Sequence, residues 1–200
     1  MIGQKNLYKN VPDYFHIGYP RTGTTFLQKG IWPQLSSEIY QPKSRVGEIY
    51  RAKYRHELEA VYTGISGHTI DQRIFLDSEE EFSGDLFHDF LDIPEKLATI
   101  NPKAKIIICL RSQITIIPSL YYLYIKKGNT LDYSAYVKRI TANNKFDYFS
   151  IVSRYIEVFG KDNVLVMLFE DLNNAREEYI NEILTFMNIS KSVNCQADPS

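Results

Sequence analysis

The sequence predicts an α/β fold: three layers, with a central, mostly parallel sheet and helices on both faces. Three observations carry that reading. Short apolar runs alternate along the chain with segments whose apolar residues recur at helical spacing. The run "KIIICL", Lys105–Leu110, is almost continuously apolar, as a strand covered on both faces requires. The stretch "YFHIGYPRTGTTFLQ" reads as a strand, a glycine-bearing loop and a helix start, the plan of a phosphate-binding loop.

Each element has its own warrant. Tyr14–Gly18 reads as a short buried strand. Thr24–Leu35 reads as a helix, with Phe26, Leu27, Ile31 and Leu35 at helical spacing and Trp32-Pro33 near its end. Arg73–Leu76 is a brief strand running into "DSEEE", and Asp85–Ile100 is a helix that Pro94 would kink or split. The strand Lys105–Leu110 follows the turn signal "NPK". A helix from about Ile114 to Lys127 follows it, with Lys126 and Lys127 in the last turn and Gly128 to close it. Tyr133–Ile140 and Tyr148–Phe159 read as two more helices. "GKDN" turns into the strand Val164–Phe169, and Arg176–Met187 is the final helix.

Length and composition set bounds. With 200 residues the chain can build one domain with a sizeable core, and residues 1–200 are read as one domain. A formal net charge of −1 supplies no field to recruit nucleic acid or an anionic membrane, so any anion site must be local. Two cysteines, Cys109 and Cys195, make no disulfide framework, and Cys109 is expected to be a buried thiol. The N-terminus is polar, and no run approaches the roughly 20 apolar residues of a membrane span. The expected location is the cytoplasm.

In a parallel sheet, ligands sit at the carboxyl ends of the strands. The loop Gly18–Thr25, G-Y-P-R-T-G-T-T, follows the first strand. A nucleoside triphosphate loop has Lys where this one has Thr24. The glycines still allow close backbone approach, the helix-start amides still face an anion, and Thr24 and Thr25 add hydroxyls. Arg21, three residues before the missing lysine, can fork onto a phosphate or sulfate from the loop's crest. After "KIIICL" come Arg111, at the strand's carboxyl end, and Ser119, eight residues on in the next helix.

The two loops together resemble the sulfotransferases that use 3′-phosphoadenosine-5′-phosphosulfate (PAPS). Pro20–Thr25 matches their first motif, P-[KR]-[ST]-G-[ST]-[ST], and Arg111 with Ser119 matches the spacing of their second. The segment "NVLVMLFEDL…ILTFMNI" is similar to their strand, acidic turn and closing helix, so the resemblance spans Tyr14 to Ile189. It implies that Pro20, Arg21, Thr22, Gly23, Thr24 and Thr25 hold the 5′-phosphosulfate end, and that Arg111 and Ser119 hold the 3′-phosphate. It also accounts for the missing lysine, because PAPS has no β,γ-phosphate chain. Arg21 would act electrostatically on the leaving phosphate, since a guanidinium does not readily release a proton.

Such a transfer needs a base but no metal. Cytosolic members use a histidine, and Golgi carbohydrate and tyrosyl members a glutamate. His16 lies inside the first strand and reads as structural; His56, His68 and His88 do not stand at a strand end. Glu48, 27 residues after Arg21, is placed like the catalytic glutamate of the glutamate-using members. Glu79, which follows the short strand in "RIFLDSEE", is placed like the base of the cytosolic ones. Glu48 ranks ahead of Glu79. Glu170-Asp171 reads as structural, with Asp171 a cap near the last helix.

The glutamates and the tyrosines Tyr121, Tyr122 and Tyr124 favour a carbohydrate-type acceptor. Family members usually continue into a basic or glycine-rich loop after the closing helix. This chain has "SKSVNCQADPS", with Lys191 its one basic residue, so a truncated or minimal member is expected. The competing readings are a P-loop kinase or NTPase, against which the missing lysine counts, and a sulfotransferase-fold nucleotide-binding module without catalysis.

Overall fold

The computed structural model describes residues 11–63, 65, 72–83, 92–142 and 146–196. Five strands form one sheet: β1 (Tyr14–Gly18), β2 (Ile39–Tyr40), β3 (Ile74–Glu79), β4 (Lys105–Leu110) and β5 (Val164–Leu168). Their order is β2-β3-β1-β4-β5, and each pairing is parallel. The α/β reading therefore holds, with a sheet parallel throughout.

The pleat sorts residues by face. Phe15 and Ile17 of β1, Phe75 of β3 and Ile106 and Ile108 of β4 face one core. Tyr14, Leu76, Ile107 and Cys109 face the other. The first core is covered by α2 (Val46–Arg51), α3 (Arg55–Ala60), α4 (Ile93–Ile100), α5 (Gln113–Lys126), α6 (Tyr133–Thr141) and α7 (Tyr148–Phe159). The second is covered by the helical segment after β1 and by α8 (Phe169–Asn174) and α9 (Arg176–Phe186).

This arrangement fixes where a ligand can go. The chain leaves β1 toward one face, burying Leu27, Ile31 and Leu35 there. It leaves the neighbouring β4 toward the other, burying Ile116 and Leu120. Adjacent strands whose helices depart to opposite faces leave a crevice at their carboxyl ends.

Local departures from the sequence expectation have physical causes. Residues 24–35 are helical but not one regular helix. A short α1 (Thr24–Phe26) passes into a π turn over Leu27–Ile31 and a 3₁₀ turn over Trp32–Leu35. That winding buries Leu27, Gly30, Ile31, Trp32 and Leu35 together. Pro94 lies in the first turn of α4, where its missing N–H costs nothing, so it starts this helix instead of kinking it. The expected earlier part of that helix, residues 85–91, lies outside the described residues, as do His68 and His88. The short β2, α2, α3 and α8 carry too few residues for a periodic signal and were not expected. No helix among the described residues is long and apolar enough to cross a membrane.

Candidate active site

The loop after β1 is shaped by backbone as much as by side chains. Arg21 and Gly23 both adopt positive φ, 71° and 84°. Glycine takes that conformation freely, whereas arginine does so at a cost of order 1 kcal/mol. Thr22 is buried, and its hydroxyl donates to Tyr19 O at 2.6 Å, closing the turn. A side chain at Gly18 would come within 2.0 Å of Thr24 Oγ1, so only glycine lets the loop fold over its own strand end. At Gly23 a Cβ would meet Leu172 Cδ2 at 2.5 Å, which seats the loop against α8.

The second loop meets the first. Arg21 Nε donates to Ser119 Oγ at 2.9 Å, and Arg111 Nη1 donates to Arg21 O at 3.0 Å. Residues 90 and 98 positions apart are thus joined across the β1–β4 crevice. Arg111 is itself held from several directions. Its Nε donates to Thr115 Oγ1 at 3.0 Å, and its guanidinium lies 4.6 Å over the Phe169 ring. Tyr148 donates its hydroxyl proton to Arg111 O at 2.8 Å. Thr115, Tyr148 and Phe169 were not singled out from the sequence. Thr115 had a readable signal, its place four residues after Arg111, but the other two reach the site only through the fold.

The acidic turn is structural, as expected, but it does not act through an Asp171 cap. Glu170 Oε1 accepts from the backbone N–H of Ser112, the residue just before α5, at 3.0 Å. Asp171 lies within α8 and caps no helix by its side chain. Glu170 therefore ties the end of β5 to the end of β4.

These residues fit an anionic nucleotide. Thr24 Oγ1 is buried with no hydrogen-bond partner among the described residues. It lies against Gly18, in the same loop as Arg21, whose carbonyl accepts from Arg111. An unpaired hydroxyl at a helix start is the kind of donor that an anion satisfies.

Of the two candidate bases, Glu79 is the one that the sheet register sets beside the loop. Glu79 ends β3 in register with Ile17, one residue before Gly18. Glu48 is in the first turn of α2, 44% exposed, and accepts from Arg45 Nη1 at 2.8 Å. It also lines a cavity of about 300 Å³ with Arg51, Ala52, Glu57, Ala60 and Val61, none of them a loop residue. Each of the two candidates acts electrostatically on one member of a buried pair that the sequence did not flag: Tyr62 donates its hydroxyl proton to Asp77 Oδ2. Burial pushes Asp77 up to about 7; the phenol works against that, and the charge of Glu79 adds to it.

His16 and His56, the histidines among the described residues, sit in structural surroundings. His16 is fully buried, 2.7 Å from Ser78 Oγ and 3.2 Å from Cys109 Sγ, and burial lowers it to about 4. His56 stacks on Tyr54. Tyr121 and Tyr124 pack around Tyr136, while Tyr122 is 67% exposed.

Known proteins resemble this chain in sequence profile and in fold. No curated protein sequence matches it. A sulfotransferase from Alicyclobacillus acidocaldarius superposes with a TM-score of 0.69 at 18% identity, covering 94% of this chain and 86% of that one. The sulfotransferase domain of the Synechococcus PCC 7002 olefin synthase gives 0.59 at 17%, covering 100% and 85%. Mouse sulfotransferase SULT7A1, solved in complex with PAP, gives 0.61 at 16%, covering 90% of this chain and 59% of that one. At such identities these likenesses describe the fold. The sequence profile of the sulfotransferase domain matches residues 11–197, nearly the whole chain, and the protein belongs to that family.

Proposed function

We propose that the protein moves a sulfuryl group from PAPS to a hydroxyl or amine acceptor, with a carbohydrate as the acceptor class, acting as one domain in the cytoplasm. The observation that carries this reading is the meeting of Arg21 with both Ser119 and Arg111 across the β1–β4 crevice. Two arginines and a serine converging there suit a nucleotide with phosphates at both ends of its ribose. A nucleoside triphosphate site would want a lysine at position 24.

PAPS, when bound, supplies an activated sulfuryl group whose S–O bond to the 5′-phosphate breaks as the acceptor oxygen or nitrogen bonds to sulfur. The chain's own residues supply the rest. Pro20, Arg21, Thr22, Gly23, Thr24 and Thr25 would hold the 5′-phosphosulfate end by backbone amides and hydroxyls. Arg21 would offset charge gathering on the leaving phosphate, and its left-handed backbone spends strain in advance on that placement. Arg111 and Ser119 would hold the 3′-phosphate. A carboxylate would take the acceptor's proton. The sequence pattern put Glu48 first for that role; we place Glu79 ahead of it, because Glu79 stands at a strand end beside the loop, whereas Glu48 is paired to Arg45.

Thermal stabilisation by 3′-phosphoadenosine-5′-phosphate, by ATP with Mg²⁺ and by AMP tests the donor. At about 100 times its dissociation constant the right ligand adds roughly 2.7 kcal/mol. The bisphosphate should stabilise most, and Arg111→Ala should weaken it far more than AMP. Stabilisation by ATP with Mg²⁺ alone would overturn the reading. Binding of the bisphosphate without transfer to any acceptor would leave a nucleotide-binding module.

A further inference from the structure

Both candidate bases adjoin one buried unit. Tyr62 and Asp77 are each 1% exposed, and the hydroxyl of one donates to the carboxylate of the other. Asp77 precedes Glu79 by two residues on β3, so the pleat puts both side chains on the same sheet face. The rise along a strand separates them by about 7 Å. Arg45 stands on the other side, with Nη1 on Glu48 and Nε buried without a hydrogen-bond partner among the described residues.

Among the described residues, Glu79 opposes the ionisation of Asp77 and Arg45 favours it. Asp77 and Glu48 oppose the ionisation of Tyr62, and Arg45 favours it. On β1 the residue in register with Asp77 is the apolar Phe15. Burial first, and then the Asp77 charge, holds the phenol far above its ordinary range, so Tyr62 keeps its proton and remains a donor.

We propose that Tyr62 and Asp77 form a positioning pair for the base. By donating to Asp77 Oδ2, the phenol favours the ionised carboxylate, and that buried charge strengthens the hold of Glu79 on the proton it takes from the acceptor. This rests on Glu79 serving as base in the reaction proposed above. Two carboxylates this close do not ionise independently, and the second charge makes the first group more basic. The proton goes from the acceptor to Glu79. Asp77 touches no reacting atom and acts only through its charge. The arrangement gives the protein a rate that rises as Asp77 ionises, near neutrality.

The test is the pH profile of kcat/KM for sulfuryl transfer, alongside the dissociation constant of 3′-phosphoadenosine-5′-phosphate. In the wild type kcat/KM climbs through a limb near neutrality. Asp77→Asn abolishes that limb and lowers the plateau about tenfold. Tyr62→Phe moves the limb upward by about one pH unit or more. Nucleotide affinity stays within about twofold in both, because neither residue belongs to the phosphate loops. A limb unmoved in both variants overturns the pair's role and leaves it structural. A wild type that transfers no sulfuryl group to any acceptor overturns the assigned reaction and this role together.

Carboxyl-carbon NMR of the unliganded wild type needs no variant to fold. Asp77 should titrate near neutrality, and Glu79 should show a second inflection at the same pH. Asp77 titrating in the ordinary carboxylate range, with Glu79 insensitive to it, overturns the proposal.

Discussion

Directly beneath the candidate phosphate loop, the two faces of the sheet bury polar groups of opposite character. On the α9 face His16, Ser78, Cys109 and Tyr179 form a hydrogen-bonded chain across β3, β1 and β4: Cys109 Sγ lies 3.1 Å from Tyr179 OH, and Gln28 Nε2 donates to Ser78 O at 2.6 Å. Its members are neutral. Burial lowers His16 to about 4 and raises the Cys109 thiol to about 12. On the α3 face the buried polar group is the carboxyl of Asp77, paired with Tyr62 and ringed by Arg45, Glu48 and Glu79. A neutral satisfied chain makes a rigid floor for the loop. A carboxyl near its midpoint is held at a cost, and such groups gather where chemistry is done.

The largest test of that contrast substitutes each buried group. His16→Ala leaves a cavity and unpaired partners, and should destabilise the fold by about 3 kcal/mol in urea titrations at pH 7.5. Asp77→Asn keeps the shape and removes a costly charge, and should stabilise it by on the order of 3 kcal/mol at pH 8. If both substitutions cost stability equally, the faces do not differ in this way.

The next effect is the pH dependence of stability. His16 titrates at about 4 folded against 6.5 ordinarily, so it contributes stability above 6.5 that is lost as the pH falls toward 4. Asp77 has the opposite sign. It moves from 3.8 to about 7, so its contribution is complete below 3.8 and is lost as the pH rises through 7. Across the overlap, from about 4 to 6.5, the two slopes oppose each other. Asp77→Asn should therefore gain stability with rising pH there, by about 3 kcal/mol, and His16→Ala should lose it. Parallel curves for the two variants would show that one of these groups titrates normally.

Smaller effects probe how the α9-side layer seats the loop. Gly23→Ala must strain a φ of 84° and push against Leu172, for a loss of about 2 kcal/mol and weaker bisphosphate binding. Wild-type stability and binding would mean that the loop does not rest on α8. Glu170→Ala removes the acceptor of the Ser112 N–H and should cost about 1 kcal/mol, read from the shift in urea midpoint. No shift would mean that water or another group replaces it.

Much of this was legible in the chain. Tyr14–Gly18, Lys105–Leu110 and Tyr148–Phe159 have the boundaries that the sequence pattern gave them, because a continuous apolar run or a helical period is a local property. The loop's glycines, and the Arg111–Ser119 spacing once the family resemblance was drawn, suggested the candidate anion site, and both are likewise local patterns. The π and 3₁₀ winding over residues 27–35 was not legible, since it depends on which side chains meet the sheet. Nor was Asp77. In sequence it is one more acid in "DSEEE", and only burial on β3 opposite Phe15 makes it unlike its neighbours.

The sequence by itself determined the strand–loop–helix periods, the glycines that permit positive φ, and the basic and hydroxyl groups of the two candidate phosphate loops. Each of these is settled within about ten residues by sterics and hydrophobic periodicity. Tertiary structure alone decided that Arg21 meets Arg111 and Ser119, that Glu79 stands beside the loop, and that Tyr62 covers Asp77. Those contacts need the parallel register of β3, β1 and β4, which is set by packing two cores at once.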